Sequence, residues 1–135
     1  MRNKSIPKIN KNQIDAVLKY LYYFEQPNYQ FGNMVTEKGH IPYCSLSSEV
    51  CEFIKVLYDQ KIIFSFDWVQ WKQDVSHYEN NPSVLEKANL LTIRKLLTTH
   101  VRADRFIEGH LLSVMENGHI TAILRRLKQI REEID

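Results

Sequence analysis

Cysteine is scarce in this chain, strong net charge is missing, and no long apolar run occurs; each absence removes a class of protein. Cys44 and Cys51 are the only cysteines in 135 residues. They stand seven apart, without a CxxC or a second thiol pair, so a zinc site built on them would need histidines from elsewhere. Two reduced, buried thiols are the expectation. Eighteen basic and sixteen acidic residues leave a formal charge of only +2. That is too little to advertise nucleic-acid binding through bulk electrostatics, so a nucleic-acid partner stays open but is not indicated. No charged-then-apolar leader opens the chain and no apolar stretch approaches a membrane span, which points to a cytoplasmic protein without membrane contact. Internal repeats and low-complexity segments are absent as well.

What remains is ordinary for a folded domain. The hydrophobic share is 44% and the charged share 25%, and the length suits one continuous core. Residues 1–12, rich in Asn and Lys, read as a flexible N-terminus, and residues 13–135 as one helical domain. From Asn12 to Phe24 the apolar residues Ile14, Val17, Leu18, Leu21 and Phe24 make one helix face, which Pro27 ends. Residues 28–47 carry two glycines and Pro42, with no helical period; a short hairpin around Lys38-Gly39 is expected. Ser48 and Glu49 start a helix whose stripe is Val50, Phe53, Ile54 and Leu57. KIIFSF, Lys61 to Phe66, reads as a short strand or a buried extended segment. Asn81-Pro82-Ser83, with Glu86 three after the serine, looks like a capping box, and Leu90, Ile93, Leu97 and Val101 continue an apolar face. A further helix is expected from about Asp104 to Glu116, stopping at Asn117-Gly118, and a last one carries Ile120, Ile123, Leu127, Ile130 and Ile134. Its basic stretch from Arg125 to Arg131 reads as a solvated helix end. The fold class is therefore mainly α: a single-domain, irregular or orthogonal bundle of about five helices, with a short β-hairpin or strand between residues 28 and 66.

Chemistry concentrates in THVRADRFIEGH, Thr99 to His110. On a continuous helix His100, Asp104 and Glu108 would share one face, a spacing suited to a metal ion or to acid–base work. As a metal set the three are weak candidates, since another donor, such as His119 or Cys51, would have to come from the fold. No resident metal or cofactor is expected. The competing structural reading is a break near Ala103, with Asp104 capping the next helix. Arg102 and Arg105, with His110, could clamp a phosphate or carboxylate at the mouth of a pocket walled by Phe64, Trp68 and Trp71. Equally, the arginines could reach free carbonyls at a helix junction, and the aromatics could be core. Gly109, inside the expected helix, costs on the order of 1 kcal/mol relative to alanine and suggests close approach of another element or a ligand.

Two resemblances bear on function. Arg105 and His110 fit the arginine, four residues, histidine spacing of the all-helical HEPN ribonucleases, although Phe106 stands where those enzymes usually carry a polar residue. That likeness implies a phosphoester hydrolase of the ribonuclease type using Arg105 and His110; from the cluster as a whole the catalytic candidates are His100, Arg105, Glu108 and His110. More extensively, LLTIRKLLTTHVRADRFIEGHLLSVMENGHITAILRRL, Leu90 to Leu127, resembles the signature of the bacterial DUF6508 family. SSEVCEFIKVLYDQKIIFSFDWVQW, Ser47 to Trp71, is similar to that family's middle portion. The likeness runs from about Ile14 to Leu127 and implies a small, single-domain, mostly helical cytoplasmic protein, with no catalytic residues to carry over. The favoured expectation is a non-catalytic module, monomeric or homodimeric, that binds a protein partner or a small anionic ligand.

Overall fold

The computed structural model describes residues 6–134. Of the twelve residues expected to be flexible, 1–5 lie outside that range, while Asn10 already caps the first helix. Its side chain accepts the Gln13 N–H at 3.0 Å and the Gln13 amide oxygen accepts the Asn10 N–H at 2.9 Å, a reciprocal capping box. Helix α1 (Lys11–Leu18) breaks and resumes as the single turn α2 (Leu21–Phe24). One continuous helix had been expected, yet Ile14, Val17, Leu21 and Phe24 are all buried.

Strands β1 (Gly32–Val35) and β2 (Tyr43–Leu46) form an antiparallel hairpin, with Gly32 opposite Leu46 and Val35 opposite Tyr43. Its connection contains Lys38-Gly39, where the sequence placed it. Helix α3 (Ser48–Asp59) is capped by Ser47, one residue earlier than expected, through a 3.2 Å bond from the Val50 N–H. Val50, Phe53 and Leu57 are buried and Ile54 partly so. Cys44 is half-buried and Cys51 exposed, so the expected pair of buried thiols is corrected: Cys51 sits on the outer side of α3.

Residues 61–66 are buried in part but form no strand. Lys61 has a left-handed backbone, φ 60°, and the Ile62 N–H returns to the Leu57 carbonyl at 3.0 Å, which closes α3 in a Schellman turn. Arg94 then takes the carbonyls a sheet would have used, its Nε donating to Ile62 at 3.1 Å and its Nη2 to Lys61 at 2.8 Å. Its guanidinium also lies 4.9 Å from the centre of the Phe64 ring. A buried cation is tolerated here because its Nε and Nη2 reach carbonyls and an aromatic face covers it. Burial without an acid partner lowers its pKa.

Three short helices follow: α4 (Trp68–Trp71), α5 (Val75–Glu79) after a 3₁₀ turn, and α6 (Pro82–Leu85). The Ser83–Glu86 capping box does not form. Pro82 opens only one turn, and the Asn81 amide goes to the His77 carbonyl at 2.7 Å. The long helix instead starts at Asn89, whose side chain accepts the Thr92 N–H at 2.8 Å. This helix, α7 (Leu90–Ala103), is buried nearly all round, as suits a central element. Helix α8 (His110–Glu116) stops at Asn117 and Gly118, the glycine at φ 88°. Helix α9 (His119–Glu133) packs against α1, α2, α6, α7 and α8. Its basic side chains are not merely solvated: Arg131 holds Asp15 at 2.8 and 3.0 Å, and Arg125 holds Glu25 at 2.8 Å. Among the described residues, the helices of seven or more residues are α1, α3, α7, α8 and α9, matching the expected five.

Arg94→Met should be costly, because it leaves two carbonyls beneath the turn without donors. Losing one such partner costs about 1–3 kcal/mol, so a destabilisation of about 2–3 kcal/mol is expected, read as a lower urea midpoint at unchanged slope. A loss below about 1 kcal/mol would show that water replaces the guanidinium freely.

Candidate functional site

The chain does not run helically through the charged cluster. It breaks after Ala103, turns through residues 104–109, and restarts at His110. The Phe106 and Ile107 N–H groups both reach the Ala103 carbonyl at 3.0 Å. Gly109 takes φ 81°, a left-handed conformation that glycine adopts without strain. Asp104 fastens the restart: its Oδ1 accepts the Leu111 N–H at 2.9 Å, a cap on the first turn of α8. The expected helix from Asp104 to Glu116 is thus shorter by six residues, and Gly109 lies before it. A Cβ on Gly109 would stand 3.2 Å from the Met34 sulfur, so the hairpin approaches closely at that point.

This turn decides which cluster residues meet. His100 and His110 come face to face across the α7–α8 corner, with His100 Nδ1 3.1 Å from His110 Nε2 and the rings 5.4 Å apart. His119, at the start of α9, sets its ring edge-on to His100 at 5.1 Å. Asp104 and Glu108 leave the His100 face altogether. Asp104 is engaged by Leu111 and Glu108 is exposed, so the face shared by His100, Asp104 and Glu108 is corrected: the helix that would align them ends at Ala103.

Arg102 and Arg105 turn toward α3. Both guanidiniums lie over the Tyr58 ring, at 5.4 and 5.8 Å from its centre, and Arg105 donates to the Tyr58 hydroxyl at 2.9 Å. Neither lines a cavity with His110, and Arg105 shares no hydrogen bond with His110 among the described residues. The expected clamp does not form: the arginines lie on Tyr58 and His110 pairs with His100. Carbonyl capping by arginine does occur, but Arg94 performs it.

A cavity of about 590 Å³ opens beside α7, lined by Trp68, Val69, Thr99, Ala103, Phe106 and Ile107 among others. His100 and His110 lie at its inner end, and Lys72, Gln73 and Glu79 supply its remaining polar groups. Trp68 and Phe106 approach each other with ring centres 5.8 Å apart. Trp71 turns elsewhere, stacked on Tyr78 at 6.2 Å, and Phe64 is core, 5% exposed. Of the expected aromatic wall only Trp68 stays.

A family model matches residues 9–133, nearly the whole chain. The chain belongs to the DUF6508 family. DUF6508 is described as a family of unknown function, so membership assigns no role to these residues. No curated protein and no solved structure matches the chain significantly. The DUF6508 signature segment expected from sequence, Leu90 to Leu127, contains all three clustered histidines. Glu79 and Lys72 escaped the sequence reading because they sit on short helices with no apolar period to orient them.

The histidines are held neutral. Burial, reinforced by His119 and His110, lowers His100 from 6.5 to about 3; burial alone lowers His119 to about 4. His110 is lowered by burial, against the pull of Asp104 and Glu79. In the unfolded chain each takes a proton near pH 6.5, so the unfolded state binds more protons on acidification. Stability is complete above that pH and falls as pH drops toward the folded values. Each of His100 and His119 adds about 1.4 kcal/mol per pH unit within its window. Urea unfolding between pH 6.5 and 4.5 should show this steep loss, and His119→Gln should remove close to half of it; an unchanged slope in that variant would contradict the burial argument. At the corner itself, Asp104→Ala should cost about 1 kcal/mol and Asp104→Asn much less, measured by urea midpoint. Equal losses would mean the cap is not what holds α8.

Proposed function

We propose that this protein is a non-catalytic, cytoplasmic binding module whose ligand is a small, largely apolar molecule with one anionic or polar group. One observation carries the reading: a cavity of about 590 Å³ with aromatic and aliphatic walls and a few convergent polar groups. That volume lies within the range of roughly 300–1,000 Å³ typical of small-molecule sites. The apolar body would rest against Trp68, Ala103, Phe106 and Ile107. The polar group would meet Lys72 near the rim, or the His100–His110 pair deeper in. Phe106 and Ile107 are 77% and 54% exposed, so apolar surface already stands in water at the entrance, and covering it favours occupancy. Two unpaired thiols suit a reducing compartment, and among the described residues no helix is long and apolar enough to cross a membrane.

A hydrolytic role for Arg105 and His110 has less to rest on. Electrostatic catalysis needs both groups aimed at one reacting centre, whereas Arg105 is committed to Tyr58 and His110 to His100.

Trp68 reports on the site directly. In a Trp71→Phe background it is the sole tryptophan, and an apolar anion such as anilinonaphthalene sulfonate should alter its emission saturably at one site. Phe106→Ala, at an exposed position, and Ala103→Leu, which fills the cavity, should each weaken binding about tenfold, roughly 1.4 kcal/mol. Absence of saturable binding, or binding indifferent to both substitutions, would overturn the reading.

A further inference from the structure

Three side chains from three helices converge where the inner end of the cavity meets the start of α9. Glu79 is the last residue of α5, His100 lies in α7 and His119 opens α9. One ligating atom from each falls within 4.8 Å of those of the other two. Glu79 lines both the large cavity and a second one of about 310 Å³ beside His119, so the convergence point lies between them. The Nε2 atoms of His100 and His119 are buried and have no hydrogen-bond partner. We propose that Glu79, His100 and His119 form a site for one divalent transition-metal ion of the zinc type.

The donor set selects the ion. Two imidazoles and a carboxylate suit zinc and its first-row neighbours, whereas calcium and magnesium prefer oxygen ligands throughout. Three protein ligands leave a fourth position open to water or to a ligand group. Zinc bonds of roughly 2.0–2.2 Å place tetrahedral donors about 3.4 Å apart, so the atoms need to close by about 1.5 Å at most. Glu79, at a helix end with a rotatable side chain, can supply much of that movement.

His110 completes the arrangement from outside. If His100 Nδ1–H donates to His110 Nε2, the proton sits on the far side of the His100 ring and Nε2 keeps its lone pair. The opposite tautomer would bury an N–H without an acceptor, the rarer and costlier orphan. A hydrogen bond at the second nitrogen is how metal-bound histidines are usually oriented. With neutral imidazoles and one carboxylate, a dication retains a net positive charge, which would draw an anionic group toward the inner end of the cavity.

The test uses the full chain, stripped with a chelator and titrated with zinc chloride at neutral pH against a chromophoric competitor, with cobalt(II) absorption as a second readout. Expected are one zinc per chain, a tetrahedral cobalt spectrum and a raised melting temperature with zinc. Glu79→Gln, which keeps shape and removes charge, should weaken binding at least tenfold, and His119→Asn should abolish it. The double variant His40→Asn/His77→Asn, at exposed histidines outside the cluster, should bind as the parent does. No zinc bound at micromolar concentration overturns the proposal. So does binding that survives both Glu79→Gln and His119→Asn, or binding lost in the double variant. Because the readout is metal bound to the protein and not occupancy of the cavity by an apolar anion, its failure and the failure of the cavity reading are separable.

Discussion

The six-residue corner between Ala103 and His110 is the constraint on which the rest of the structure turns. Were α7 to continue, His110 would lie more than two helical turns beyond His100, too far for their rings to meet. The corner exists because Asp104 leaves the helix and spends its carboxylate on the Leu111 N–H, while Gly109 adopts a left-handed backbone. One acidic residue at the end of α7 thereby caps the start of α8. It also sets the register of α8, whose Asn117-Gly118 stop in turn delivers His119 to the same interior.

A division of labour around α7 follows from that geometry. On the side facing α3, Arg102 and Arg105 spread over Tyr58 and add cation–π contact. Further along, Arg94 seals the Schellman turn that closes α3. At the cavity, small residues such as Thr99 and Ala103 leave room, and the aromatic pair Trp68 and Phe106 frames an opening. The cations that a sequence reader would assign to ligand binding are thus used to hold helices together. The cavity is left to imidazole, apolar surface and the side chains of Lys72, Gln73 and Glu79.

Long amphipathic helices were legible in sequence because burial repeats every three to four residues. The stripes of α3 and α9, the Asn117-Gly118 stop and the hairpin around Lys38-Gly39 all carry local signals. The cluster was legible as a place but not as an arrangement. Spacing by four aligned His100 with Asp104 and Glu108 only on an unbroken helix, and whether Asp104 faces its own helix or caps the next depends on tertiary contacts that periodicity does not record. Glu79 had no signal at all, lying at the end of a five-residue helix where neither moment nor capping pattern orients a side chain. His119 was named in sequence as a donor that the fold would have to bring in, and the packing of α9 against α7 sets its ring against His100.

Energetics argue that the histidine cluster is more than packing. A buried polar atom without a partner costs about 1–3 kcal/mol, and Nε2 of His100 and of His119 both fall in that class. A domain of this size has only about 5–15 kcal/mol of net stability, so the two atoms together claim a large share of it. Leucine or phenylalanine would fill the same interior volume without that penalty, and neighbouring α7 positions such as Leu96 and Leu97 do so. Retaining imidazoles there is therefore destabilising unless something supplies the missing contact. His100 lines the large cavity, His119 the second one, and Glu79 both. The corner that brings the imidazoles together is thus held by the chain itself, while a metal ion bound as proposed would supply the contact that the two Nε2 atoms lack.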